Sequence, residues 1–143
     1  MPSEKQLQQL WNLSDNVLYP EAITFMGRLV DEQGCATLPA SQVTGLLNIA
    51  NAAIYPELMR FIQHQRERNW PESKKDIKTF YTELEKWFAT VKSRRLRDEF
   101  RLEHSNQEVD ELMSLLAQEF IQHLVAENGL LAVRRASARV NRR

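Results

Sequence analysis

Apolar positions recur at intervals of three and four along most of this chain, the spacing of one face of an α-helix. Ser3 with Gln6 makes a capping-box start, after which Leu7, Leu10, Trp11, Ser14, Val17 and Leu18 fall on one face. Pro20 suits the first turn of a second helix, with Ile23, Met26, Leu29 and Val30 inward and Gly34 at its end. The two segments are expected to form a hairpin or a kinked pair. The stretch QGCATLP, residues 33–39, reads as a connection, and residues 40–51 as a helix with Val43, Leu46, Leu47 and Ala50 on its apolar stripe.

A further helix opens near Pro56. At about 100° per residue, Leu58, Phe61 and Ile62 share an apolar arc, Arg60, Gln63, His64 and Glu67 lie away from it, and Gln65 falls in its middle. Ser73 is placed to cap a long helix from Lys74 to about Arg101, lined by Ile77, Phe80, Tyr81, Leu84, Trp87, Phe88 and Val91. There the stripe fails. Arg95 stands where the next core residue belongs, so the last two turns are expected to project from the bundle or to meet a partner. Ser105 with Glu108 makes a second capping box, and Val109, Leu112, Met113, Leu116, Phe120 and Leu124 define a broad face that stops at Asn128 and Gly129. Beyond it, LLAVRRASARVNRR extends as a basic helix or frays. The sum is an all-α chain, a compact bundle of five or six helices in one domain spanning 1–143, with 130–143 as a basic tail or helix extension.

Composition narrows the setting. Hydrophobic residues at 43% and charged residues at 27% match a self-folding globular chain. Cys35 is the only cysteine, so no intrachain disulfide forms. No apolar run approaches the roughly 18–20 residues that span a bilayer, and the start lacks the order of a secretion signal, so a cytoplasmic protein with no membrane partner is expected.

The formal net charge of zero conceals segregation. Residues 1–59 carry two basic and six acidic groups; 60–101 carry twelve basic and seven acidic; 102–127 carry six acidic and none basic; 128–143 carry five arginines and no acid. Blocks of alternating sign suit a chain that offers a basic surface to one partner and an acidic one to another.

No phosphate loop, GxSxG, HExxH, CxxC or calcium-loop pattern occurs, and no cofactor is expected. Glu119, His123 and Glu127 share a helical spacing that could present a metal site, but His123 borders the apolar face and reads better as a hydrogen-bonded, partly buried histidine. Cys35 reads as a small filler. The chain is therefore expected not to be an enzyme. A helix-turn-helix reader over PASQVTGLLNIANAAIYPELMRFIQ lacks the tight glycine turn, and its second helix opens on apolar residues where base-reading groups belong.

The basic residues carry more. Arg94, Arg97 and Arg101, with Lys92 and Arg95 nearby, are spaced to form one stripe whose guanidiniums can fork onto successive phosphates. Arg60, His64, Arg66, Arg68, Lys74, Lys75 and Lys78 make a second cluster, expected to join the first in one surface that tracks a phosphate backbone. Trp70 either stacks on a base or packs over the corner between two helices, and the corner reading is preferred.

Taken together, SQVTGLLNIAN, ELMRFIQHQRERNW, KDIKTFYTELEKWF and LLAQEFIQHLVAEN, over roughly residues 40–128, resemble the small helical subunit of type III CRISPR effector complexes. The resemblance rests on helix order and arginine placement, and it leaves the first 38 residues uncovered. It implies a non-catalytic subunit that stacks with other copies of itself along the backbone filament. Its partners would be the backbone and large subunits and the guide and target RNA. The competing expectation is a helical protein–protein adaptor that binds no nucleic acid.

Overall fold

In a computed structural model, which describes residues 2–102 and 104–141, with side chains through Ala138, the chain is a bundle of five helices with no strand among the described residues. Helix α1 runs over residues 4–32, α2 over Ala40–Ala52, α3 over Tyr55–Glu67, α4 over residues 75–98 and α5 over Val109–Asn141. Single 3-10 turns, Glu72–Lys74 and Asn106–Glu108, lead into α4 and α5.

Both capping boxes form. Ser3 Oγ accepts from the Gln6 amide at 3.1 Å while the Ser3 amide donates to Gln6 Oε1 at 2.7 Å. Ser105 and Glu108 make the reciprocal pair ahead of α5. Ser73, by contrast, does not cap α4: Pro71, in extended conformation, precedes a 3-10 turn closed by the Lys74 amide on Pro71 O at 2.8 Å.

The first helix passes straight through Pro20 and forms no hairpin. A π turn over Ser14–Leu18 directly precedes the proline, and the wider ring of hydrogen bonds absorbs the residue whose amide is missing. The inserted residue also resets the helical phase. Over the 12 steps from Trp11 to Ile23 an ideal helix would turn well away from its starting face; one extra residue brings the two back to within about 20° of each other. Trp11 and Ile23 were expected inward, and both are exposed, at 49% and 37%, on one outer stripe with Tyr19.

The core is aromatic where α1, α4 and α5 meet. Trp87 stacks on Phe120 with centroids 3.6 Å apart, and Phe25 stands edge-on to Phe80 and Phe120 at 5.9 and 6.0 Å. Ring pairs with these geometries contribute about 0.5–1.5 kcal/mol each beyond the area they bury. Tyr55–Phe88 and Phe61–Tyr81 pair α3 with α4 and fix their directions: the start of α3 lies beside the end of α4.

Helix α5 does not stop at Asn128 and Gly129. It continues to Asn141, so the arginine-bearing segment is a helix extension with Val133, Arg134, Ala136, Ser137 and Ala138 exposed; the side chain of Arg139, and Arg142 and Arg143 entirely, lie outside the described residues. Asn128 is buried with its side chain turned to another element: Oδ1 accepts from the Leu38 amide at 2.7 Å and Nδ2 donates to Leu38 O at 3.2 Å. An asparagine spent on a distant backbone does not end its own helix.

Helices α1 and α4 end in the same way. Gly34 has φ 74°, flanked by the Gln33 amide on Arg28 O and the Cys35 amide on Leu29 O. At the end of α4 the left-handed residue is Arg101, φ 54°, with the Phe100 amide on Arg95 O and the Leu102 amide on Leu96 O. Glycine adopts this conformation freely, whereas a side chain costs about 1–2 kcal/mol.

Candidate nucleic-acid interface

Eleven residues were singled out as RNA-binding, and the antiparallel pairing of α3 and α4 separates them into two ends. Arg68, Lys74, Lys75 and Lys78 gather at the corner between the two helices, whereas Arg94, Arg97 and Arg101 lie at the far end of α4. At 1.5 Å per residue the two groups are roughly 25–30 Å apart along the axis, so they do not form the single patch expected of them. Arg60 and His64 are exposed on α3 between these ends.

Several of the eleven are committed inside the chain. Arg95 is the clearest: its side chain is only 15% exposed and holds Glu21 with both Nη atoms, one bond at 2.7 Å, while Nε reaches Glu99 at 2.6 Å. Its guanidinium also lies 4.6 Å over Phe100 and 5.9 Å over Trp87. The Glu21 bonds hold Arg95 charged well beyond its ordinary range, and the Arg95 bond draws the Glu99 carboxyl down. An arginine on the core side of the helix therefore ties α4 to α1. Leu96 and Leu102 are buried behind it, and the last turns pack against the bundle instead of projecting.

Arg66 sits half-buried with Nε 3.2 Å from a Glu85 oxygen, near enough for attraction but not aligned for a hydrogen bond, so that Nε lacks an acceptor. Arg68 donates to Gln65 Oε1 at 3.1 Å and covers the Trp70 ring at 4.2 Å. That accounts for Gln65 on an apolar face. Its side chain holds Arg68 and its carbonyl accepts the Trp70 indole N–H at 2.7 Å, so Trp70 closes the helix corner and is not open for base stacking. Lys75 pairs with Glu72 at 2.6 Å in an exposed bridge of small worth.

What remains at the end of α4 is a rim of exposed cations. Arg94, Arg97 and Arg101 are exposed and, among the described residues, none has a salt bridge within 4.0 Å. They are not three steps of one helical stripe, because the helix ends at Asp98 and the left-handed turn at Arg101 re-aims its side chain. The turn nevertheless brings them together. Arg97, Arg101, Leu102 and His104 line one cleft of about 380 Å³; Lys92, Arg94, Arg97 and His104 line a second of about 380 Å³ beside it. Lys92 is partly occupied, 3.4 Å from Asp110 and over the Tyr55 ring at 5.1 Å. His104 was missed in the sequence reading, for it lies beyond the predicted helix and no spacing rule connects it to Arg97.

The opposite end gains residues as well. Arg135 on the α5 extension donates to Cys35 O at 3.1 Å, and the Ala36 amide donates to Asp76 Oδ2 at 2.8 Å. The connection 33–39 thereby brings Arg134 and Arg135 to the end of the bundle that carries Lys74, Lys75 and Lys78. Cys35 is buried there, its thiol pushed up by burial and by the Asp76 charge.

His123 is half-buried, its Nε2 2.9 Å from Ser14 Oγ and its ring 5.2 Å edge-on from Tyr19. Among the described residues no three His, Cys, Asp or Glu side chains converge as a metal site, and no helix is long and apolar enough to cross a membrane. Comparison with family models, with curated proteins and with solved structures gave no match.

Proposed function

We propose that this chain is a non-catalytic, RNA-contacting subunit of a type III CRISPR RNA-guided effector complex. The supporting observation is the rim at the end of α4. Three exposed guanidiniums that make no salt bridge within 4.0 Å among the described residues, held on a packed helix end and bordering two clefts, offer what a phosphate backbone requires. Such contacts recognise backbone geometry while pairing between guide and target supplies the sequence. A second basic end roughly 25–30 Å away would meet a separate segment of the same RNA or an acidic neighbouring subunit. The resemblance over residues 40–128 supplies the rest of the assignment, including stacking of copies beside backbone and large subunits.

Two experiments test it. Purification of the tagged chain from its native cell, with sequencing of the bound RNA and identification of copurifying subunits, tests the assembly; recovery without RNA or such subunits would sink it. In binding assays, changing Arg94, Arg97 and Arg101 together to Glu should weaken RNA binding and flatten the plot of log affinity against log salt by about 2, since each single-strand phosphate contact contributes roughly 0.7. An unaltered slope would remove the rim from the interface.

One observation favours the adaptor reading instead. Trp11, Tyr19 and Ile23 form an outward apolar stripe on α1, suited to another protein. Displacement by unrelated RNA separates the two, because a protein adaptor docked through that stripe would not yield to a generic polyanion.

A further inference from the structure

The end of α4 contains a contradiction in local terms. Two helices close with the same pair of backbone hydrogen bonds around a left-handed residue; one uses Gly34 and the other Arg101. The arginine occupies a left-handed position that glycine would adopt more easily, and strain of this kind collects at binding sites. Its guanidinium borders the cleft with Arg97, Leu102 and His104.

The tautomer of His104 is assigned by its backbone contact. Its Nδ1 meets Leu102 O, and a carbonyl oxygen only accepts, so Nδ1 carries a proton in either charge state. Nε2 then decides what the ring offers to the clefts. In the neutral ring it presents a lone pair, which repels a phosphate oxygen; in the imidazolium it donates a third charge-assisted hydrogen bond. Among the described residues, the charged groups lining the two clefts are Arg97 and Arg101 in one and Lys92, Arg94, Arg97 and the acid Asp98 in the other. On the α5 side, Asp110 pairs with Lys92 at 3.4 Å, and Glu108 is taken by Ser105 and Gln6.

We infer that Arg97, Arg101 and His104 form a phosphate seat on this rim, which takes one backbone phosphate of RNA and closes on it with the protonated ring of His104. The inference rests on the RNA-binding reading above and makes it specific. Because binding favours the protonated ring, phosphate and proton bind cooperatively, and affinity rises as pH falls.

The test measures anisotropy of the full chain with a labelled single-stranded RNA of about 12 nucleotides at constant ionic strength, near pH 6 and pH 8. Wild type should bind about fivefold tighter at the lower pH, the gain from one charge-assisted hydrogen bond that only the protonated ring makes. His104→Gln should bind equally at both, near the wild-type strength at the higher pH. Arg101→Gly should keep the helix end, which it fits better, and lose affinity at both. RNA binding by wild type without a pH response, or a pH response that persists in His104→Gln, overturns the seat and leaves the RNA-binding reading standing. Absence of RNA binding at low salt at either pH overturns that reading instead. The seat is then judged by NMR titration of the His104 ring protons with and without inorganic phosphate: an upward displacement of the midpoint supports it, and none overturns it.

Discussion

Replacement of Asn128 tests whether its side chain clamps α5 to the 33–39 connection. The side chain is 4% exposed and makes two hydrogen bonds to one residue of the 33–39 connection, at 2.7 and 3.2 Å. Asn128→Ala removes both and leaves the buried Leu38 amide and carbonyl without partners. Each abandoned group costs about 1–3 kcal/mol, and the better helix propensity of alanine returns only about 0.5 kcal/mol. The net expectation is a loss of about 2–4 kcal/mol, read as a lower urea midpoint at constant slope, or a fall in Tm of about 10 °C for a domain of this size. Asn128→Asp separates hydrogen bonding from volume: it retains the acceptor facing the Leu38 amide but turns a carboxylate oxygen onto the Leu38 carbonyl, and should be at least as damaging. A loss below about 0.5 kcal/mol for either variant would mean that the clamp contributes nothing and that another cause carries α5 through this point.

The neighbouring residue gives the opposite sign. Gly129→Ala should stabilise by about 1 kcal/mol in the same unfolding assay, because the position is helical and an added Cβ meets no atom within 4 Å; destabilisation would indicate a left-handed cap. Glu21→Ala should destabilise by about 2 kcal/mol, since it strips two bonds from the mostly buried Arg95 and one from the Trp87 indole, and a wild-type midpoint would refute the tie between α1 and α4. The Glu108 carboxyl is lowered to about 2, chiefly by the Ser105 amide and then by Gln6. Its folded-state value lies below the unfolded one, so its contribution is complete above the ordinary carboxylate range and is lost as pH falls toward about 2. Glu108→Gln should reduce the acid sensitivity of unfolding over that window, and an unchanged acid profile would contradict it.

The helical pattern, both capping boxes, the Gly34 terminus and most of the core faces were legible in the sequence, because these depend on neighbours three and four residues apart. The role of Trp70 was legible for the same reason: its indole finds the Gln65 carbonyl five residues away. The exposed arginines at 94, 97 and 101 could be named but not arranged. Their grouping with His104 depends on where α4 ends and on the backbone conformation of Arg101.

Local chemistry thus determined that the chain is helical, where its two capping boxes stand and which residues are basic. Tertiary structure decided which of the basic residues remain available. Arg95, expected to contact RNA, is claimed by Glu21, 74 residues away, and Asn128, expected to end its helix, is claimed by Leu38, 90 residues away. The two basic clusters, close in sequence, were parted because an antiparallel helix pair carries the ends of its helices in opposite directions. Local patterns record what a side chain can do; a distant partner in the low-dielectric interior offers interactions strong enough to override local preference, and only the fold determines which partner arrives.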